Sequence, residues 1–319
     1  MIKIIGSSKT RIVSERILNK ISPSILKKVF EYKNKKRIIE IANGAKKDVA
    51  CFFEKRELFN YVEIETVNRC NGACSFCPAN KNIDSRPFAK MSEDTFKKII
   101  DELAELQFGG TVAYYSTNEP FMDNRIIDFI RYGASKVKNA EHIIFTNGTL
   151  LNKEKFQALI DSGLNYILID NYNDELKLNP NIKEIYDEYK NKEFPLKCEI
   201  RYRLNDEVLN ARGGVSPNGQ KIKEPLNALC YFPFEQLIIR ADASVSLCCI
   251  DSLQKCTVGN TKEQTLEEIW FGEKHFGYLN SIRNNFRKDI EICRECDILT
   301  SKRDKIYKSI SPQFLNRLL

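Results

Sequence analysis

Between residues 61 and 204, short apolar runs alternate with amphipathic stretches, and that alternation constrains the fold more than any other feature. The runs are YVEIET (61–66), TVAYYST (111–117), HIIFTN (142–147), YILIDN (166–171) and LKCEIRYRL (196–204). Several are almost continuously apolar, as expected of parallel strands covered by helices. Between them, residues 92–106, 125–136, 153–163 and 181–191 read as helices, with Ser92 as an N-cap, Asp94 in the first turn and Gly163 as a stop. Repeated βα units give either an open doubly wound sheet or a full or partial (β/α) barrel. In front of them, residues 15–48 read as two or three short helices. Ile17, Leu18, Ile21, Ile25, Leu26, Val29 and Phe30 recur at helical spacing there, interrupted near Pro23. After about Asn205 the pattern changes, and Gly213, Gly214, Pro217, Gly219 and Pro225 mark a loop-rich crossing into a second region.

At 42% hydrophobic and 29% charged, the 319 residues suit a globular protein. No apolar run of about 18 residues is present, and the first residues do not resemble a signal peptide, so a cytoplasmic location is expected. The net charge of +7 is uneven. Residues 1–50 hold 13 Lys/Arg and 4 Asp/Glu, a net +9, which leaves −2 for the remainder. This basic segment reads first as a solvated helix face, and otherwise as a surface for an anionic membrane, a nucleic acid or an acidic partner, of which a weak membrane contact is the one carried forward. No nucleic-acid partner is expected.

Eleven cysteines and only two histidines, His142 and His275, point to metal sites built on thiolate. The first set, Cys70, Cys74 and Cys77, follows the first strand directly and has gaps of three and two residues. A structural zinc site takes four ligands, usually as two pairs. Three thiolates on a four-iron cluster leave one iron without a protein ligand, and an open position is where a substrate or cosubstrate binds. The count of three therefore argues for chemistry at the metal.

With Phe76 just before the last cysteine, and with the loop placed after the first strand of a βα series, the chain resembles the radical S-adenosylmethionine (SAM) superfamily. The resemblance implies that SAM chelates the open iron and that the reduced cluster cleaves it to a 5′-deoxyadenosyl radical, which abstracts a hydrogen atom. It also implies a turn after the second strand that binds the SAM amino group. Here that turn is Asn118, Glu119 and Pro120, with Asn in the usual glycine position. FTNGTLL (145–151) resembles the third strand and turn of the family, which puts Asn147 near SAM. Asp170 and Asn171 are placed to reach the ribose. Arg201 and Arg203 share a face of the fifth strand, and Arg203 is the candidate partner of the SAM carboxylate.

The second set is Cys230, Cys248, Cys293 and Cys296. EQLIIRADASVSLCC reads as a hairpin turning at ADA, and four thiolates close a cluster, which suits electron transfer or structure. The spacing, with VGNTKEQTLEEIW at 258–270, resembles the twitch domain, the short form of the SPASM domain; Ala243 stands where the family usually has glycine. Strand alternation points Cys248 and Cys249 to opposite faces, which makes Cys248 the ligand. Cys51, Cys198 and Cys256 are left as non-ligands.

Together the resemblances imply a partial (β/α)6 TIM-type barrel, a small α+β C-terminal twitch domain and a helical N-terminal prefix, divided as 1–57, 58–228 and 229–319. They imply SAM and two [4Fe–4S] clusters, one auxiliary, with a flavodoxin or ferredoxin-type electron donor. The expected reaction is oxidation of a sugar or cyclitol alcohol, with Arg212 orienting substrate or stabilising charge near the barrel mouth. Two alternatives stand beside it: a maturase acting on a ribosomal peptide, and a non-enzymatic iron–sulfur electron carrier.

Overall fold

The structure, a computed structural model, describes residues 2–5, 23–219, 222–284, 287–302 and 305–306. Nine strands form one sheet: β1 (Ile2–Ile5), β2 (Tyr61–Ile64), β3 (Thr111–Ala113), β4 (Glu141–Thr146), β5 (Tyr166–Tyr172), β6 (Lys197–Arg203), β7 (Gln236–Ile239), β8 (Ser244–Ser246) and β9 (Thr257–Asn260). The helices are α1 (Pro23–Lys55), α2 (Glu93–Glu105), α3 (Ile126–Lys136), α4 (Lys153–Ile160), α5 (Pro180–Tyr189), α6 (Leu266–Trp270), α7 (Glu273–Arg283) and α8 (Glu291–Arg294).

Strands β2 to β6 lie side by side in chain order and all pair in parallel, each followed by its helix up to β5. This is the partial barrel that the family resemblance implies. The Ser92 hydroxyl accepts the Thr95 N–H and starts α2, and Asn152 caps α4 through Lys155 in the same way. One face of the sheet supplies Val62, Val112, Ile144, Ile167, Ile169 and Ile200 to a single core with Phe96, Ile100, Phe129 and Phe156 of the helices. The period of two leaves Tyr61, Glu63, Tyr115, Phe145, Tyr166, Asp170, Glu199 and Arg201 on the opposite, inner face.

The prefix differs from the expectation in two ways. It opens with a strand, β1, which pairs in parallel with β6 and fills the position beyond the fifth barrel strand. In place of two or three short helices, the described part is one helix of 33 residues, Pro23–Lys55; residues 15–22 lie outside the described residues. Pro23 sits at the start of the helix, where its missing N–H costs nothing, and it begins α1. The chain leaves α1 at Arg56, with φ of 50°. α1 packs on the C-terminal region: Phe52 meets Phe234 and Trp270 edge-on at 5.2 and 6.0 Å, and Ser301 lies against Gly44, where a Cβ would approach its Cβ to 3.2 Å.

On the other side of β2, β7 continues the sheet in parallel, and β8 and β9 follow antiparallel. The hairpin turn leaves Ala243 buried with φ of 76°, a backbone state that favours glycine. Thr265 and Glu268 form a capping box at α6. No helix among the described residues is long and apolar enough to cross a membrane.

Candidate active site

The loop of Cys70, Cys74 and Cys77 is held from several directions. Ser75 donates from its N–H and its hydroxyl to the Asn205 carbonyl, at 2.9 and 3.0 Å, and the Ser216 hydroxyl reaches the Phe76 carbonyl at 3.0 Å. Arg86, buried and paired with Asp84 and Glu65, donates to the carbonyls of Asn68 and Thr117 and fixes the flank of the loop. At the centre of the loop, a Cβ on Gly72 would stand 3.3 Å from the Cys70 sulfur, 3.8 Å from the Cys74 sulfur and 3.9 Å from Asn147 Nδ2. A side chain there would fill the space that the two sulfurs face. Burial pushes the thiols of Cys70 and Cys74 up to about 12, so both bind protons until a metal displaces them.

The strand ends gather round this loop. Glu119 is buried; its Oε1 accepts from the Thr146 hydroxyl at 2.6 Å and the Phe121 N–H at 3.2 Å, and its Oε2 accepts from the Asn147 N–H at 2.8 Å. Burial raises its carboxyl to about 6, against those bonds. Asn147 Nδ2 donates to Asn71 at 2.9 Å, which brings it over the cysteine loop. Asn118 Oδ1 accepts the Ser116 N–H, while its Nδ2 is buried with no partner. Arg203 pairs with Glu207 at 2.9 Å and lies 6.0 Å from the rings of Phe76 and Tyr172, its Nε also buried and unpartnered. Asp170 is engaged by Arg201 through two bonds of 2.6 and 2.9 Å. Asn171 faces away from the inner side, bonded to Lys177 and Asn179, so it does not join the site.

Sequence reasoning missed the centre of the inner face. Glu63 accepts from the Ser116 hydroxyl at 2.5 Å, Ser116 accepts from Arg240 Nη1 at 2.5 Å, and Arg240 also reaches the Asp251 carbonyl. Burial raises the Glu63 carboxyl to about 7, opposed by Arg240, Ser116 and Arg212. Below it, Tyr115 stacks on Phe145 at 4.2 Å and shares a 2.6 Å bond with Tyr61. A signal was present: the period of two in YVEIET puts both glutamates on one face, which an apolar core would not tolerate.

Arg212 stands between this centre and the second thiol set. Its φ is 45°, followed by 60° at Gly213 and 85° at Gly214, three successive left-handed residues of the kind that collects at functional sites. Its Nη1 lies 3.4 Å from the Ser252 hydroxyl, and its Nε is buried and unpartnered. The same turn leans on α8 and the residues after it: a Cβ on Gly213 would meet the Ile292 carbonyl at 2.9 Å, and the Ala211 N–H donates to Asp297 at 2.9 Å.

Cys230, Cys248, Cys293 and Cys296 are all buried, and burial pushes the Cys296 thiol up to about 12. The strand β8 ends at Ser246, so the alternation that was to separate Cys248 from Cys249 does not apply; both lie in the bend and turn that follow it. Cys198 is buried in β6, away from both sets.

The donors fit iron–sulfur clusters. Both sets are thiol only, and among the described residues no three His, Cys, Asp or Glu side chains converge as they would round a single ion. A four-iron cluster gives each thiolate its own iron and spreads the sulfurs accordingly. The first set also faces orphaned polar atoms of Asn118 and Arg203, which suits a polar cosubstrate.

Residues 64–171 match the family profile of the radical SAM superfamily, and residues 230–297 match that of SPASM, an iron–sulfur cluster-binding domain. Among curated proteins, the chain is 23% identical over 251 residues to the S-adenosyl-L-methionine-dependent 2-deoxy-scyllo-inosamine dehydrogenase of Niallia circulans, spanning 79% of this chain and 98% of that protein. Among solved structures, BtrN in complex with AdoMet and 2-DOIA superposes with a TM-score of 0.64 at 23% identity, covering 76% of this chain and 94% of that one. The structure of anSMEcpe with bound AdoMet superposes with a TM-score of 0.51 at 11% identity, covering 82% and 92%. The two family matches fall in order on the three-thiol loop and on the four-thiol set, and the chain belongs to the radical SAM superfamily, with a SPASM-type iron–sulfur domain behind its core.

Proposed function

We propose that this enzyme oxidises a secondary alcohol on a small polyhydroxylated ring, of the aminocyclitol class named for its Niallia relative. The observation that carries the reading is the 211–214 turn, which joins the two sites. Arg212 acts on Glu63 inside the barrel, while Ala211 and Gly213 rest on the segment 292–297 that carries Cys293 and Cys296. Cys70, Cys74 and Cys77 would hold the SAM-binding cluster, with Phe76, Asn118, Glu119, Asn147 and Arg203 round SAM and Asp170 at its edge. Cys230, Cys248, Cys293 and Cys296 would hold the auxiliary cluster. When bound, these groups supply a hydrogen-abstracting radical and, at the second site, an acceptor for one electron.

The protein's own part is to place the alcohol and take its proton. Glu63, poised near neutrality, accepts the hydroxyl proton on its carboxylate. Arg240 acts on that carboxylate through Ser116, and Arg212 acts on it as a nearby cation. An arginine does not give up its proton, so Arg212 orients the substrate and stabilises charge. The stacked rings of Tyr115 and Phe145 offer an apolar floor to the C–H face of a ring.

In this reading residues 58–228 form the core and 229–319 the auxiliary domain, and the described part of residues 1–57 braces both, β1 on β6 and α1 on the C-terminal region. Seven ligand thiols call for a reducing, cytoplasmic compartment, with a flavodoxin or ferredoxin as donor. The test is anaerobic reconstitution followed by SAM, dithionite and a panel of aminocyclitols, sugars and peptides. A ketone product with 5′-deoxyadenosine in equal amount is expected. Absence of 5′-deoxyadenosine overturns the enzyme reading, and turnover of peptides alone overturns the substrate class.

A further inference from the structure

Arg287 is a full positive charge buried between the chain segments that carry the second thiol set. It is 1% exposed. Its Nη1 donates to the carbonyls of Ala228 and Ile298, both at 3.3 Å, and its Nη2 to Ile298 at 3.2 Å. Its Nε has no partner, and among the described residues no carboxylate pairs with it. Asp297, next to Cys296 in the chain, accepts from the Ala211 N–H. Ala228 lies two residues before Cys230 and Ile298 two after Cys296, so the guanidinium ties the two ligand-bearing segments together. All four thiols interact with its charge, Cys296 most, then Cys230, Cys293 and Cys248.

A buried cation without a counter-charge is strongly unfavourable, and an arginine cannot escape by losing its proton. The compensating charge has to come from the four sulfurs, which carry it when they ligate iron. We infer that Arg287 is the built-in counter-cation of the auxiliary cluster, holding its reduction potential high enough to accept the substrate's electron. A fixed positive charge beside a cluster favours the reduced, more negative form, and net charge is one of the levers that set such potentials. Arg287 touches neither SAM nor substrate; it is a positioning residue that acts through the cluster. The inference rests on the auxiliary-cluster reading of Cys230, Cys248, Cys293 and Cys296.

The experiment uses the full chain carrying Cys70→Ala, Cys74→Ala and Cys77→Ala, so that one cluster remains to be observed. Arg287→Met, Arg287→Gln and Arg287→Lys are compared in that background by iron content and by a redox titration followed by electron paramagnetic resonance. The parent should bind about four irons; if it binds none, the auxiliary-cluster reading itself fails. Given a loaded parent, the neutral variants should titrate at lower potential, with the lysine variant close to the parent. An unchanged potential in loaded neutral variants overturns the inference. If the neutral variants do not load, loading of the lysine variant upholds the need for charge, and failure of all three overturns it.

Discussion

Glu63 shows how one residue couples the fold to the reaction. Burial raises its carboxyl from the ordinary value of about 4.5 to about 7 in the folded protein. Between those values the folded state binds more protons than the unfolded one, so stability falls as pH rises from about 4.5 to about 7. The full loss is on the order of 3 kcal/mol. Glu63→Gln should flatten that slope, read from urea midpoints across the range; a slope that survives would remove Glu63 as its source. Activity runs the other way, because the proton acceptor is the ionised form. Product formation should rise with pH to a plateau above about 7. Glu63→Gln should lose that limb and about 100-fold or more in product, while still releasing 5′-deoxyadenosine.

Among the elements, the 211–214 turn is the most sharply determined. At Gly214, φ is 85° and a Cβ would come within 2.8 Å of the Glu295 Cβ. Gly214→Ala should therefore cost about 1–3 kcal/mol in urea unfolding. Adding Glu295→Ala removes the Oε2 and Cδ contacts but keeps the Cβ, so it should restore only the part due to the carboxylate and leave the Cβ contact and the backbone cost; complete recovery would show that the left-handed state carries no strain. At the opposite edge, Ile2 is 5% exposed in β1, and Ile2→Ala should cost about 2 kcal/mol, with faster amide exchange along β6; unchanged exchange would mean that β1 does not protect that edge. The βα elements were legible because their periods are written in apolar residues, and the cysteine sets because their spacing is tied to cluster geometry. β1 was not legible, since four residues carry too little pattern and the pairing partner lies almost 200 positions away. Arg287 had no sequence signal at all: its meaning comes from the four thiols that the fold assembles round it.

At the scale of the molecule, the two thiol sets make separable contributions. Cys293→Ser with Cys296→Ser should leave about four irons and SAM cleavage but abolish oxidation; retained oxidation would show that the second set is not the electron acceptor. Removing iron from the intact protein should lower its melting temperature, since binding at deprotonated thiols stabilises the folded chain. Both sets hang from one sheet, because β7 pairs with β2 from Tyr61↔Gln236 to Ile64↔Ile239. That ladder works as a gauge. The gap between the barrel and the auxiliary domain is spaced by backbone hydrogen bonds, not by an interface that can slide. A bulkier substrate has to be admitted by remodelling the turns at the rim, whereas a one-residue slip in β7 would swing Arg240 out of the barrel altogether.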